Sequence, residues 1–143
     1  MKQLYTAHAS VTGGRNGNGK TDDGNLSVTL SSPGSGKSGT TNPEQLFACG
    51  YAACFGSAIE AVTKMEKATV GDITVNADVT LNQDDNHGYF LAVTLNVTIA
   101  GAEQAQANAL VEKAHQMCPY SKATRGNIEV TLKVNDQPLA KAA

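Results

Sequence analysis

The chain has 143 residues, enough for one domain with a modest core. Eleven Lys and Arg stand against thirteen Asp and Glu, a net charge of −2, so the basic footprint of a nucleic-acid binder is missing. No run of like charge suggests a tail or a membrane-surface patch, and three cysteines, an odd count, cannot close into a disulfide framework.

The start, MKQLYTAHAS, lacks a basic segment followed by an apolar one, so no signal peptide is expected. The expected compartment is the cytoplasm, where thiols stay reduced. Residues 4–12 alternate, with Tyr5, Ala7, Ala9 and Val11 on one face, and predict a strand. Residues 13–25 predict a loop of Gly, Asn and Asp. Leu26, Val28 and Leu30 alternate with polar residues and predict a second strand, followed by the Gly/Ser loop SSPGSGKSGT.

A strong helix start follows. Asn42 suits the N-cap, Pro43 the first helical position, and Gln45 the spacing of a capping box. The run QLFACGYAACFGSAI carries no charge on any face. A helix apolar all round must be surrounded by protein, yet residues 45–59 are too few to cross a bilayer. The helix is expected to end near Lys67.

Ile73, Val75, Ala77, Val79 and Leu81 alternate with polar residues, as do Leu91, Val93, Leu95, Val97 and Ile99. With DDNHG as a turn between them, they predict an antiparallel hairpin. His87 in that turn, and Asp84 and Asp85, suit a turn better than a metal site. Residues 102–117 predict a second helix, with Ala105, Ala109, Val111 and Ala114 among its small or apolar positions; Pro119 interrupts it. Residues 128–134 predict a last strand, and 135–143 a loose tail. The order β-β-α-β-β-α-β predicts one α+β domain over residues 1–143, with antiparallel sheets packed on a buried central helix. One small sheet cannot enclose that helix, so a partner chain in a symmetric homodimer is expected to cover the rest.

GRNGNGKT, residues 14–21, fits the phosphate-binding pattern G-x-x-x-x-G-K-[ST]. That motif needs a buried strand before it and a helix directly after it, whose N-terminus holds the phosphates. Here DDGN and an alternating strand follow, so a nucleotide is not expected and the role of Arg15 stays open.

Buried cysteines are usually small hydrophobes. Cys49 and Cys54 are five apart on a helix, about 140° around its axis, so they do not face one metal. His115 and Cys118 have a weak H-x-x-C spacing. Thiol chemistry in an apolar site would require a cation to stabilise a thiolate and a second cysteine within reach.

TNPEQLFACGYAACF, residues 41–55, closely resembles the peroxidatic-cysteine helix of the organic hydroperoxide resistance proteins (Ohr) of the OsmC-like superfamily. CPYSKATRGNI, residues 118–128, resembles that family's second-cysteine segment, and LYTAHASVTGGRNG its first strand and arginine loop. The resemblance implies an OsmC-like intertwined homodimer and a thiol peroxidase acting on alkyl or fatty-acyl hydroperoxides. It implies that Cys54 is the peroxidatic cysteine and Cys118 the resolving one. Arg15 then activates the thiolate and Glu44 holds Arg15. The implied reductant is a lipoyl-type dithiol carried on a protein, and no metal or organic cofactor is required.

An apolar cavity around Cys54, using Leu46, Phe47, Phe55 and partner residues, would favour organic hydroperoxides over hydrogen peroxide. Cys49 is expected to be packing. His115 is expected on a solvated helix face, and Tyr120 and Arg125 to shape the second-cysteine loop. Two alternatives remain: a peroxidase of the sister OsmC branch, or a non-catalytic binding module for a lipid or nucleotide. Glu44 and Cys54, ten residues apart on a straight helix, are separated by about 15 Å along its axis. Arg15 and Glu44 of one chain are therefore expected to meet Cys54 of the other, with a kink at Gly50 as the alternative.

Overall fold

The strict alternation after residue 73 is realised as a hairpin of two eleven-residue strands, the longest pairing among the described residues. The computed structural model describes residues 1–139. They form two compact units, Met1–Leu46 and a second beginning at Phe47.

The first unit holds strands β1 (Ala9–Thr12), β2 (Asn18–Thr21), β3 (Ser27–Leu30) and β4 (Thr40–Thr41), in that order across one sheet. β1–β2 and β2–β3 pair antiparallel, whereas β3–β4 is parallel. β2 lies inside the stretch expected to be loop. Its sequence, NGKT, has no apolar alternation to reveal it. Gly19 there is buried, and a Cβ on it would come 3.0 Å from Val11 Cγ2. All four residues of β1 are exposed, so its alternation marks no buried face within this chain.

The second unit contains β5 (Ile73–Gln83), β6 (Tyr89–Ile99), β7 (Val130–Val134) and β8 (Gln137–Pro138), again in sequence order across one sheet. β5–β6 and β7–β8 are antiparallel, but β6–β7 is parallel. Both sheets are thus mixed rather than antiparallel. The helical connection from β6 to β7 carries the chain back to the starting end of β6, which makes the pair parallel. In the β5–β6 turn, Asp84 Oδ1 accepts the backbone N–H groups of Asn86 (2.9 Å) and Gly88 (2.8 Å), and His87 sits at φ 62°. The segment expected to be a tail instead turns at Asn135 and Asp136, both with positive φ (51° and 63°), a two-residue hairpin turn into β8. Residues 140–143 lie outside the described residues.

Helix α1 (Pro43–Met65) starts as its sequence predicts: Asn42 Oδ1 accepts the Gln45 N–H at 2.9 Å. The capping box is only half made, because the Gln45 side chain accepts the Thr41 hydroxyl at 2.7 Å. α1 buries Tyr51, Phe55, Ala58, Ile59 and Val62. They pack with Val93, Leu95, Val97 and Ile99 of β6, with Leu132 and Val134 of β7, and with Leu110, Val111 and Ala114 of helix α2 (Gln104–Met117). The opposite positions Cys49, Ala53 and Ser57 are exposed, so the second unit covers α1 on one side only. By length and composition α1 could cross a membrane, but its apolar stripe belongs to this core. Pro119 does not end helical structure; it opens a short helix α3 (Pro119–Thr124), where its missing N–H is no loss.

Candidate active site

The glycine-rich loop is a strand–turn–strand that presents an arginine. A 3-10 turn, Gly14–Asn16, links β1 to β2, with Gly13 at φ 86° and Gly14 at φ 57°. A Cβ on Gly17 would lie 1.6 Å from the Thr12 carbonyl oxygen, so no larger residue fits. The next element after Thr21 is strand β3, not a helix, so the phosphate-loop context is missing. Arg15 projects from the turn and makes a two-pronged ion pair with Glu44 on the first turn of α1. Its Nη1 donates to Oε2 at 2.8 Å and its Nη2 to Oε1 at 2.6 Å. The Arg15 guanidinium holds the Glu44 carboxyl below its ordinary range, and Glu44 raises Arg15 in return.

In the second unit, Cys54 of α1 and Cys118, at the junction of α2 and α3, have their sulfurs 3.6 Å apart, the Cys118 thiol donating. Cys118 is fully buried and Cys54 half-buried. Cys118 has an extended backbone, and its N–H closes α2 on the Ala114 carbonyl at 2.8 Å. Burial pushes the Cys54 thiol up, the Tyr120 backbone N–H pulls it down, and the neighbouring Cys118 raises it further. Each of the two expected pairs, Arg15–Glu44 and Cys54–Cys118, lies within one unit. Cys49 is exposed within one chain.

His115 corrects a further expectation: it is buried, only 2% exposed, not solvated. The buried face of α2 is Ala107, Leu110, Val111, Ala114 and His115, while Ala105 and Ala109 face out. Spacing was the available signal, because His115 falls four residues after Val111 and eight after Ala107. His115 Nδ1 and Ser121 Oγ lie 2.9 Å apart; Ser121 Oγ is also 2.8 Å from the Tyr51 hydroxyl, which reaches Thr124 Oγ1 at 3.2 Å. Arg125 Nη2 donates to the His115 carbonyl at 2.5 Å. Burial, then the nearby Arg125 charge, hold the His115 pKa below its ordinary value.

An apolar groove of about 640 Å³ is lined by Phe47, Tyr89, Phe90, Leu91, Tyr120 and Ile128 among others. Phe47 lines it, but Cys54 does not, so this groove is not the cavity expected around that sulfur. Phe55 does not line it either: it is fully buried, edge-on to Tyr51 in the core. Leu46 is not among its walls.

Residues 34–133 match the family model described as OsmC-like protein. An organic hydroperoxide resistance protein from Xanthomonas axonopodis pv. citri is 48% identical over 136 residues, covering 92% of this chain and 94% of its own. The organic hydroperoxide resistance protein OhrA of Bacillus subtilis is 47% identical over 136 residues, covering 92% and 96%. The crystal structure of an organic hydroperoxide resistance protein from Elizabethkingia anophelis aligns with a TM-score of 0.87 at 49% identity, over 96% of this chain and all of that one. With this match in sequence and fold along nearly its whole length, the chain belongs to the organic hydroperoxide resistance proteins of the OsmC-like family.

Proposed function

We propose that the protein is a cytoplasmic thiol peroxidase that reduces organic hydroperoxides to alcohols, with Cys54 as nucleophile and Cys118 as resolving thiol. The observation that carries this reading is the 3.6 Å separation of the two sulfurs. The Cys54 thiolate attacks one peroxide oxygen. An S–O bond forms, the O–O bond breaks, and the alkoxide takes up a proton and leaves as alcohol. Cys118 then attacks the sulfenic sulfur. The S–S bond forms, the S–O bond breaks, and the hydroxide leaves as water with the Cys118 proton. A protein-borne dithiol of the lipoyl type returns the disulfide to two thiols by exchange and is itself oxidised.

Burial opposes the Cys54 thiolate, so this chemistry needs a cation at the sulfur. Arg15 is that cation in this reading, and the pairing with Glu44 fixes the plane of its fork. The working enzyme is a homodimer in which Arg15 and Glu44 of one chain serve Cys54 of the other. The open face of α1 at Cys49, Ala53 and Ser57 supports a partner chain there. The apolar groove beside Phe47 and Tyr120 would suit an alkyl or acyl chain, although Cys54 is not among its lining residues.

Thiol titration tests the reading. One equivalent of hydroperoxide per chain should remove two thiols and yield a peptide linked through Cys54 and Cys118. Retention of all three thiols would contradict it.

A further inference from the structure

The Tyr51 hydroxyl is fully buried, and the chemistry described above does not use it. Phe47, Gly50, Tyr51 and Cys54 form one stripe of α1 at helical spacing. Along this stripe α1 meets α3. A Cβ on Gly50 would come 3.0 Å from the Tyr120 hydroxyl oxygen, and the Tyr51 and Tyr120 ring centroids are 5.7 Å apart. The Tyr51 hydroxyl reaches both buried side-chain hydroxyls of α3, Ser121 at 2.8 Å and Thr124 at 3.2 Å. Ser121 Oγ also meets His115 Nδ1 of α2 at 2.9 Å. One hydrogen-bonded cluster thus ties together α1, which carries Cys54, and the two helices whose junction carries Cys118.

We propose that Tyr51 is a positioning residue for the resolving step: its hydroxyl clamps α3 to α1 so that Cys118 stays in line with the Cys54 sulfur. α3 has six residues, too few to hold itself as a helix in water, so its place depends on such contacts. Pro119 opens α3 directly after Cys118, so a shift of α3 shifts that thiol. Tyr51 lies one turn before Cys54 on the same helix and so references Cys118 to the sulfur it must meet. In that step the Cys118 sulfur displaces hydroxide from Cys54–SOH, forming S–S, breaking S–O and releasing water with the thiol proton. If closure is slow, a second hydroperoxide oxidises Cys54–SOH to the sulfinic acid and leaves as alcohol.

The inference rests on the disulfide reading and is tested by how the sulfenic acid partitions. Wild type, Tyr51→Phe and Ser121→Ala are exposed to graded cumene hydroperoxide, and disulfide and Cys54 sulfinic acid are counted by mass spectrometry. In both variants half-maximal over-oxidation should need at least about tenfold less hydroperoxide than in wild type, the scale expected from misplacing a reacting group. A general loosening around Cys54 would slow the second attack as well and would not shift the partition this way. A partition equal to wild type, or shifted toward disulfide, in both variants overturns the inference. Failure of wild type itself to form the disulfide would instead overturn the reading beneath it.

Discussion

Cys54 and Cys118 hold their sulfurs 3.6 Å apart although 64 positions of chain separate them. Neither local propensity nor the hairpin brings them together. The contact arises because α2 ends at Met117, leaving Cys118 at the junction, and Pro119 restarts a helix whose Tyr120 packs over Gly50 of α1. Gly50 leaves room for that ring, and Gly50→Val should separate the sulfurs. The expected result is slower disulfide closure after one equivalent of hydroperoxide, followed by quenched thiol alkylation. Closure at the wild-type rate would show that Tyr120 does not need the space.

Glu44→Gln should lower the second-order rate with an organic hydroperoxide by about 10–100-fold, because the Arg15 fork loses its charged partner. Thermal stability should change less than the rate, since the Arg15 side chain is 43% exposed within one chain, and a part-exposed ion pair contributes little. Stopped-flow consumption and a melting curve on the same samples separate the two effects. Glu44 has a depressed folded pKa, so the pair is complete above the ordinary 4.5 and is lost as pH falls through the lower folded value. The acid limb attributable to Glu44 therefore lies below 4.5.

His115 gives a second pH signature, in stability. Its folded pKa lies below the ordinary 6.5 because the ring is buried near Arg125. As pH falls below 6.5, the unfolded chain takes up a proton that the folded chain refuses. The contribution is fully present above 6.5 and is lost as pH falls through the depressed folded value. The melting temperature of wild type should drop between about pH 7 and pH 5, and His115→Gln, which cannot titrate, should show a flatter profile. Equal slopes would remove His115 from the account.

Lys20 and Gly17 separate the arginine mount from a phosphate loop. Gly17→Ala drives a methyl against the Thr12 carbonyl and should cost about 1–3 kcal/mol as well as displacing Arg15. Lys20→Ala, on an exposed strand position, should leave peroxidase activity and stability unchanged. Equilibrium dialysis should find no nucleotide bound to either protein.

Cross-chain catalysis makes a counting prediction. Arg15→Ala and Cys54→Ser proteins should each be inactive alone. When subunits are exchanged at equal amounts, half the dimers should be mixed, and each mixed dimer has one intact site only if Arg15 serves the partner's Cys54. Activity should return to about a quarter of wild type if Arg15 serves the partner's Cys54, and should stay at background if it serves its own.

Much of this was legible in the sequence. The alternation of residues 73–81 and 91–99 marked the hairpin because β6 buries one face and β5 half-buries the matching one. Asn42 and Pro43 marked the helix start because a cap is a local event. β2 and β8 were not legible, since NGKT and Gln137–Pro138 carry no alternation and are held by neighbouring strands. The parallel β6–β7 pairing depends on the path of the helical connection, which no strand pattern encodes. In the candidate site, Arg15, Glu44, Cys54 and Cys118 were legible through resemblance. The Tyr51–Ser121–His115 cluster was not, because its members come from three separate helices and no local pattern brings their side chains together.

Consumption of cumene hydroperoxide per chain by reductant-free wild type, Cys54→Ser and Cys118→Ser tests the central claim most directly. Wild type should consume one equivalent and stop as a disulfide; Cys118→Ser should form a sulfenic acid that excess hydroperoxide over-oxidises; Cys54→Ser should consume none. Consumption by Cys54→Ser equal to wild type would contradict the assignment of Cys54 as the reacting sulfur.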